Sequence, residues 1–376
     1  MHSIWEQSSW LEADVVVIGG GLVGISTAIE FLEHNIGKTV LVLERGLVPT
    51  GASTRNAGFA CFGSVSEIAS DIDLIGTDAA CELVRQRVEG LARLRSRCKG
   101  ADIGFVDDGG HEIYLHEHPA IRRIEEVNNC IESILGPAAF VERTPLAMQY
   151  GLSDKVATLI RTPHEATIDS GKLVRTLWGI AAQLGVRILT GAEVLHIDDH
   201  ADGAQITVRT LSGDVRVTTN DVVVAANAWI PNLVSRDLIP EILPGRGQVL
   251  VTKPLRNLRI RGSFHYDEGY YYFRRLGERV LLGGGRNIDF TTEQTTSHET
   301  TTTIQDALED LLRTVIVPHH DNVEIEHRWA GTMAFTSNKQ PFVQRVHPHT
   351  VVAFGCNGMG VALSSTIATS AAAILR

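Results

Sequence analysis

Val15-Val16-Val17-Ile18-Gly19-Gly20-Gly21-Leu22-Val23-Gly24 sets the reading of everything that follows it. Four β-branched residues with no polar break are the pattern of a strand buried on both faces. The run ends in G-x-G-x-x-G. In that motif the first glycine (Gly19) permits a tight turn, the second (Gly21) lets the backbone approach a pyrophosphate, and the third (Gly24) allows close helix–strand packing. Residues 22–34 then carry apolar side chains at helical spacing, with Gly37 as a stop signal. Residues 39–43 form a second apolar run, closed by Glu44 and Arg45. Glu44 follows the last glycine by about 20 residues, where an acid binds ribose hydroxyls. Strand, helix and strand in this order make a dinucleotide-binding unit, whose helix N-terminus offers free N–H groups to phosphates.

Working outward, residues 78–99 predict one long amphipathic helix. Short strands follow at 103–106 and 112–115, then helices at 120–135 and 171–184. Strands are expected at 186–189 and 194–197, a turn at 198–203, and a hairpin pairing 206–211 with 215–219. Residues 222–226 read as another buried strand and 243–287 as alternating antiparallel strands. Residues 291–303 form a polar loop leading to a helix at 304–313. A last strand at 351–354 and a last helix at 361–375 close the chain. The fold class is α/β, a Rossmann-like domain with an inserted, mostly antiparallel α+β domain. Both domains are discontinuous: 11–100, 155–235 and 326–376 for the cofactor, 101–154 and 236–325 for the substrate.

The 376 residues, 44% hydrophobic and 21% charged, have ordinary globular composition and enough chain for two domains. A net charge of −10 without a Lys/Arg cluster speaks against nucleic-acid partners. The five cysteines are widely spaced and make no C-x-x-C, so neither zinc nor a dithiol centre is indicated and a reducing, cytoplasmic setting is expected. His116-Glu117-His118 and His319-His320 lack further ligands nearby, so no metal is expected. No stretch is long and apolar enough for a membrane span, and no leader-like segment opens the chain.

Three further segments complete a pattern: Gly51-Ala52-Ser53-Thr54-Arg55-Asn56-Ala57-Gly58-Phe59, Val222 to Trp229 through Ala226 and Asn227, and Gly355-Cys356-Asn357-Gly358-Met359-Gly360. Together with the N-terminal unit they resemble the D-amino acid oxidase-like family of FAD-dependent oxidoreductases. The pieces look closest to its amine-oxidising branch, the γ-glutamylputrescine oxidase-like and sarcosine oxidase-like members. The resemblance implies FAD, held non-covalently because the covalent Cys of the sarcosine oxidases has no counterpart here. Ser53, Arg55, Asn56, Ala57 and Gly58 would run along the flavin. Val194 would meet the adenine through its backbone, Gly331 lies near the cofactor, and Gly358, Met359 and Gly360 would bring a helix N-terminus to the flavin edge. Arg55 neutralises pyrophosphate, meets a substrate carboxylate, or lies on the surface.

The resemblance also implies hydride transfer from the carbon bearing an amine to flavin N5. The imine then hydrolyses, and O2 is the expected acceptor. Tyr272 is the aromatic expected over the reacting face. Tyr270 shares its strand face, and Arg286, after Gly283-Gly284-Gly285, reaches either the pocket mouth or solvent. His265 and Arg328 are further pocket candidates. Met333 stands where amino-acid-oxidising relatives place a carboxylate-clamping Arg, and Leu281 where sarcosine oxidases place a flavin-side Lys. Met333 favours an amine, or an unusually held amino acid, as the small-molecule substrate, and Leu281 weighs against fast oxidase behaviour. A dehydrogenase of amines, amino acids or 2-hydroxy acids passing electrons to a quinone or carrier is the first rival. A flavin monooxygenase lacks its usual motif here, and a non-catalytic nucleotide-binding protein is the rival of another class.

Overall fold

The computed structural model describes residues 3–375. Its first sheet runs in the order Phe342–His347, Thr350–Phe354, Gly213–Val224, Glu12–Ile18, Val40–Glu44 and Arg187–Thr190. Neighbours are parallel except for the first pair. The β-branched run therefore lies in the middle of the sheet, with Val16 opposite Val222 on one side and Leu41 on the other. Helices Leu22–His34, Thr77–Arg97 and Gly360–Ile374 pack against one another over one face. Ile25, Ile29, Leu363 and Ile367 are buried there with Val15 and Val17, each contributing about 1.5–3 kcal/mol relative to exposure.

The second sheet has eight strands, in the order Ile325–Phe335, Leu243–Thr252, Arg279–Gly284, Tyr271–Leu276, Ser263–Tyr266, Gly110–Tyr114, Thr158–Thr162 and Val141–Glu142. All pairings are antiparallel except Ser263–Tyr266 with Gly110–Tyr114. Strand alternation divides its residues between two faces. Leu250 and Leu282 pack toward helix Thr302–Leu311, in one core with the stacked Phe264 and Phe273. Val249, Val251 and Leu281 point the other way, onto Ala57 and Phe59 of the first domain. That second face is how the sheet meets the cofactor segments.

Several expectations change. Thr158–Thr162 and Ile325–Phe335, assigned from sequence to the cofactor domain, are hydrogen-bonded into the second sheet. An apolar strand does not reveal which sheet supplies its partners. Residues 198–200 are not a turn, because strand Glu193–His200 runs on to pair with Gly203–Thr210. The hairpin arm and the run at 222–224 are one strand, Gly213–Val224. Residues 103–106 make only an isolated bridge, Val106 to Thr167. The polar segment 291–303 is anchored, because its Glu293 is buried and pairs with Arg246 (2.6 Å). Cys81 and Cys130 form a disulfide between helices Thr77–Arg97 and Ile124–Leu135, against the expectation of reduced cysteines. Their separation of 49 residues hid the pairing. Among the described residues no helix is long and apolar enough to cross a membrane.

Candidate functional site

The glycine turn is built by close approach. Gly19 has φ +107°, and a Cβ on Gly24 would lie 1.9 Å from the Gly19 carbonyl oxygen. Only glycine allows the helix to start that near the strand end. Gly21 caps helix Leu22–His34, whose first-turn amides have no intrahelical acceptor. Ser53 Oγ accepts from Leu22 N (2.9 Å), so the segment 51–59 begins at the same helix end. Glu44 Oε2 accepts from Gly20 N (2.9 Å) and Oε1 from Gly46 N (2.8 Å). A carboxylate accepts about four hydrogen bonds, which leaves capacity for ribose hydroxyls. Trp178, from helix Ser170–Gln183, donates Nε1–H to Gly20 O (2.9 Å) and braces the turn from outside. Arg45 is exposed and lies over the Trp229 ring (4.6 Å). Half-buried Val194 packs at the edge of the core that contains Ala226.

Strand Ile325–Phe335 of the second sheet is clasped by the three remaining cofactor segments. Arg55 Nη1 donates to Ala330 O (2.7 Å), and Trp329 Nε1 donates to Arg55 O (2.9 Å). Asn227, at φ +52°, donates Nδ2–H to Thr332 O (3.0 Å). Asn357 Oδ1 accepts from Thr336 N (2.8 Å), tying the C-terminal glycine loop to the strand's end. Gly331 lies against Arg55, where a Cβ would come within 2.9 Å of Arg55 Cβ. Asn56 organises its own loop: Oδ1 accepts from Gly58 N (2.8 Å) and Ser170 Oγ (2.7 Å). Ala57 is buried against Leu281. Arg55 is thus a tie between the domains, and its hydrogen bonds within the chain go to that strand.

Tyr272, Tyr270, Arg286 and Met333 come together at one end of the second sheet. The Tyr272 ring covers Gly283, where a Cβ would meet Cε2 at 2.4 Å. A Cβ on Gly247 would lie 3.0 Å from Met333 Cε and 3.2 Å from Tyr272 Oη. Met333 Sδ is also 3.9 Å from the Cβ position of Gly358, so Met333 stands between the sheet and the C-terminal loop. Burial pushes the Tyr272 hydroxyl up to about 12, which keeps it protonated at neutral pH. The Arg286 guanidinium lies 4.1 Å from the Phe335 ring centroid and 5.2 Å from those of Tyr270 and Phe290. Desolvation lowers its pKa, and among the described residues no carboxylate pairs with it.

Met359 touches Cys61 (Sγ to Sδ 3.6 Å), and Gly360 opens the last helix. His265 is buried between Glu67 and Glu165 (3.3 Å each), with its ring edge-on to Phe59. Arg328 does not join Tyr272 and Met333; it bonds Gln305 and Glu309 on helix Thr302–Leu311, because it points to the sheet's opposite face. Sequence reasoning missed Trp178, His298, Phe290 and Phe335. None lies in a motif, so only tertiary contact identifies them. Two open clefts, of about 650 Å³ by Tyr266, Tyr271 and Asp310 and about 530 Å³ by Leu83, Arg93 and Pro341, contain none of these residues.

The residues fit the FAD that the resemblance implies. The glycine turn leaves no room for a Cβ at Gly19 or Gly24. Edge-on to Trp229, the buried Nε2 of His298 has no hydrogen-bond partner in the protein. Burial, then the charges of Arg55 and Arg45, lower the His298 pKa, which places these two cations beside it.

A family model described as DAO, FAD dependent oxidoreductase, matches residues 14–374. Among curated proteins the chain is similar to gamma-glutamylputrescine oxidoreductase of Escherichia coli, 27% identical over 386 residues, covering 97% of this chain and 84% of the relative. Probable oxidoreductase OrdL of Haemophilus influenzae is 26% identical over 362 residues, covering 94% and 80%. Among solved structures, glycine oxidase from Geobacillus kaustophilus superposes with a TM-score of 0.79 at 22% identity, covering 97% of this chain and 94% of that one. This last likeness is one of fold.

Proposed function

The chain belongs to the DAO family of FAD-dependent oxidoreductases, and on that premise we propose that it oxidises the carbon–nitrogen bond of a small amine that carries a carboxylate. The observation that carries this reading is Arg286: a desolvated guanidinium without a carboxylate partner, caged by aromatic rings beside Tyr272 and Met333. Such a cation recruits an anionic end of the substrate. Met333 offers no cation at its own position, so the carboxylate is held by Arg286 instead. The similarity to gamma-glutamylputrescine oxidoreductase supports an amine as the reacting group.

FAD, when bound, supplies the two-electron acceptor: a hydride leaves the substrate carbon, and the resulting imine is hydrolysed by water to carbonyl and amine. The protein's part is orientation and desolvation. The apolar wall of Val249, Val251, Leu281 and Tyr272 excludes water. Desolvation lowers an amine's pKa and favours the neutral form, whose lone pair drives hydride loss. Tyr272 Oη, held protonated, donates a hydrogen bond to the substrate and removes no proton. Anaerobic bleaching of the flavin spectrum by amines, N-methyl amines, amino acids and 2-hydroxy acids tests the reading. Bleaching by hydroxy acids alone refutes it.

A second reading concerns the electron acceptor. Leu281 is buried against Ala57 and places no cation at the wall, which favours a dehydrogenase passing electrons to a quinone or carrier over a fast oxidase. Reoxidation of the reduced enzyme by air against an artificial acceptor separates the two.

A further inference from the structure

Behind Phe59, away from the glycine turn, three residues of different chain segments converge. Cys61 follows the flavin loop, Glu165 precedes strand Ala166–Thr167, and His265 lies in strand Ser263–Tyr266. They are 6%, 1% and 4% exposed, and their Sγ, carboxylate oxygen and ring nitrogen lie within 4.8 Å of one another. We propose that Cys61, Glu165 and His265 bind one Zn2+ ion, with Glu67 orienting the imidazole from outside the coordination sphere.

The spacing admits an ion. His265 Nε2 stands 3.3 Å from Glu165 Oε2, and two ligands each about 2.0–2.1 Å from a tetrahedral zinc stand about 3.3 Å apart. On the other side of the ring, Nδ1 faces Glu67 Oε2. Glu165 Oε2 accepts from Ser263 Oγ (3.0 Å), but Oε1 is buried with no partner at all. A plain buried ion triad gives that oxygen nothing, whereas a cation beside it does. The Cys61 thiol lies in the same cluster, and one sulfur, one nitrogen and one oxygen suit zinc. Glu67 is itself positioned, because its Oε2 accepts from Ser64 N (3.0 Å) at the start of helix Val65–Ile75. Carboxylate, imidazole and metal in that order are the common outer-shell arrangement for a zinc-bound His. Thiolate and Glu165 neutralise the ion. Three protein ligands leave a fourth position for water, or for the Met359 thioether, which already contacts Cys61 (3.6 Å).

The test uses the full-length, FAD-loaded protein, dialysed against chelator and titrated calorimetrically with Zn2+. One ion per chain is expected. Glu67→Gln should weaken binding by about 10- to 100-fold, and Cys61→Ser and Glu165→Gln, each of which removes a direct ligand, by more than that. Co2+ in place of Zn2+ should give tetrahedral ligand-field bands beyond the flavin absorption, with a sulfur-to-metal charge-transfer band that Cys61→Ser abolishes. Wild-type protein that takes up no zinc, or Co2+ spectra without a thiolate signature, overturns the proposal even if a variant fails to fold. Equal affinity of wild type and a folded Cys61→Ser overturns it as well.

Discussion

Replacing Arg286 by Leu tests the substrate anchor most directly. The guanidinium has three aromatic neighbours and no carboxylate partner among the described residues. A substrate carboxylate about 4 Å away, at an effective dielectric of about 20, interacts by about 4 kcal/mol. The half-buried position moderates this, so about 3–4 kcal/mol is expected, or a loss of roughly 10²- to 10³-fold in kcat/KM for carboxylate-bearing amines. Matched substrates lacking the carboxylate should change by no more than about threefold, a difference under about 1 kcal/mol. Stability should move little. Each cation–π contact contributes about 0.5–1 kcal/mol, offset by relief of the desolvated charge and by Leu packing among Tyr270, Phe290 and Phe335. Anaerobic stopped-flow reduction with paired substrates gives the rates, and thermal melting with the flavin content gives the control. An equal loss for both members of each pair, with flavin intact, would refute the reasoning.

Gly24→Ala puts a methyl 1.9 Å from the Gly19 carbonyl; overpacking of this kind costs about 1–3 kcal/mol or more, and the purified variant should carry far less flavin per chain. A full flavin complement would contradict the close-approach argument. Met333→Arg adds a cation between Gly247 and Gly358 and should raise turnover of simple amino acids relative to amines, while an unchanged ratio would show that position 333 does not face the substrate. His111, stacked on Phe264 and donating Nδ1–H to Ser263 O, is pulled down to about 4 by burial. A depressed folded-state pKa means its contribution is full above the unfolded value near 6.5 and is lost as the pH falls from there to about 4, by about 3 kcal/mol. Denaturant midpoints of His111→Phe should therefore fall less steeply over that window than those of wild type; parallel slopes would rule the account out.

The strand–helix–strand unit of the first sheet was legible in the sequence because its physics is local. A β-branched run, a glycine turn and an amphipathic helix specify one another within thirty residues, and the acid at Glu44 needs only a following strand to reach Gly20. The three other segments that carry the family resemblance are contiguous motifs in order along the chain. What those motifs could not reveal is that they converge on one strand, Ile325–Phe335, which belongs to the other sheet. Arg55, read as a pyrophosphate ligand, a substrate ligand or a surface residue, is partly buried and donates Nη1–H to that strand. Arg328 read as a pocket residue but faces the opposite side, since a strand's two faces differ only by register.

Residues such as Val16 and Gly24 thus declare themselves from sequence, because their roles depend on neighbours a few positions away. Tertiary structure alone decided the rest: the aromatic cage of Arg286, the Cys81–Cys130 disulfide, the brace from Trp178, and the meeting of Cys61, Glu165 and His265. Each joins side chains from distant segments, and their approach is set by sheet order and helix packing, which no local pattern encodes.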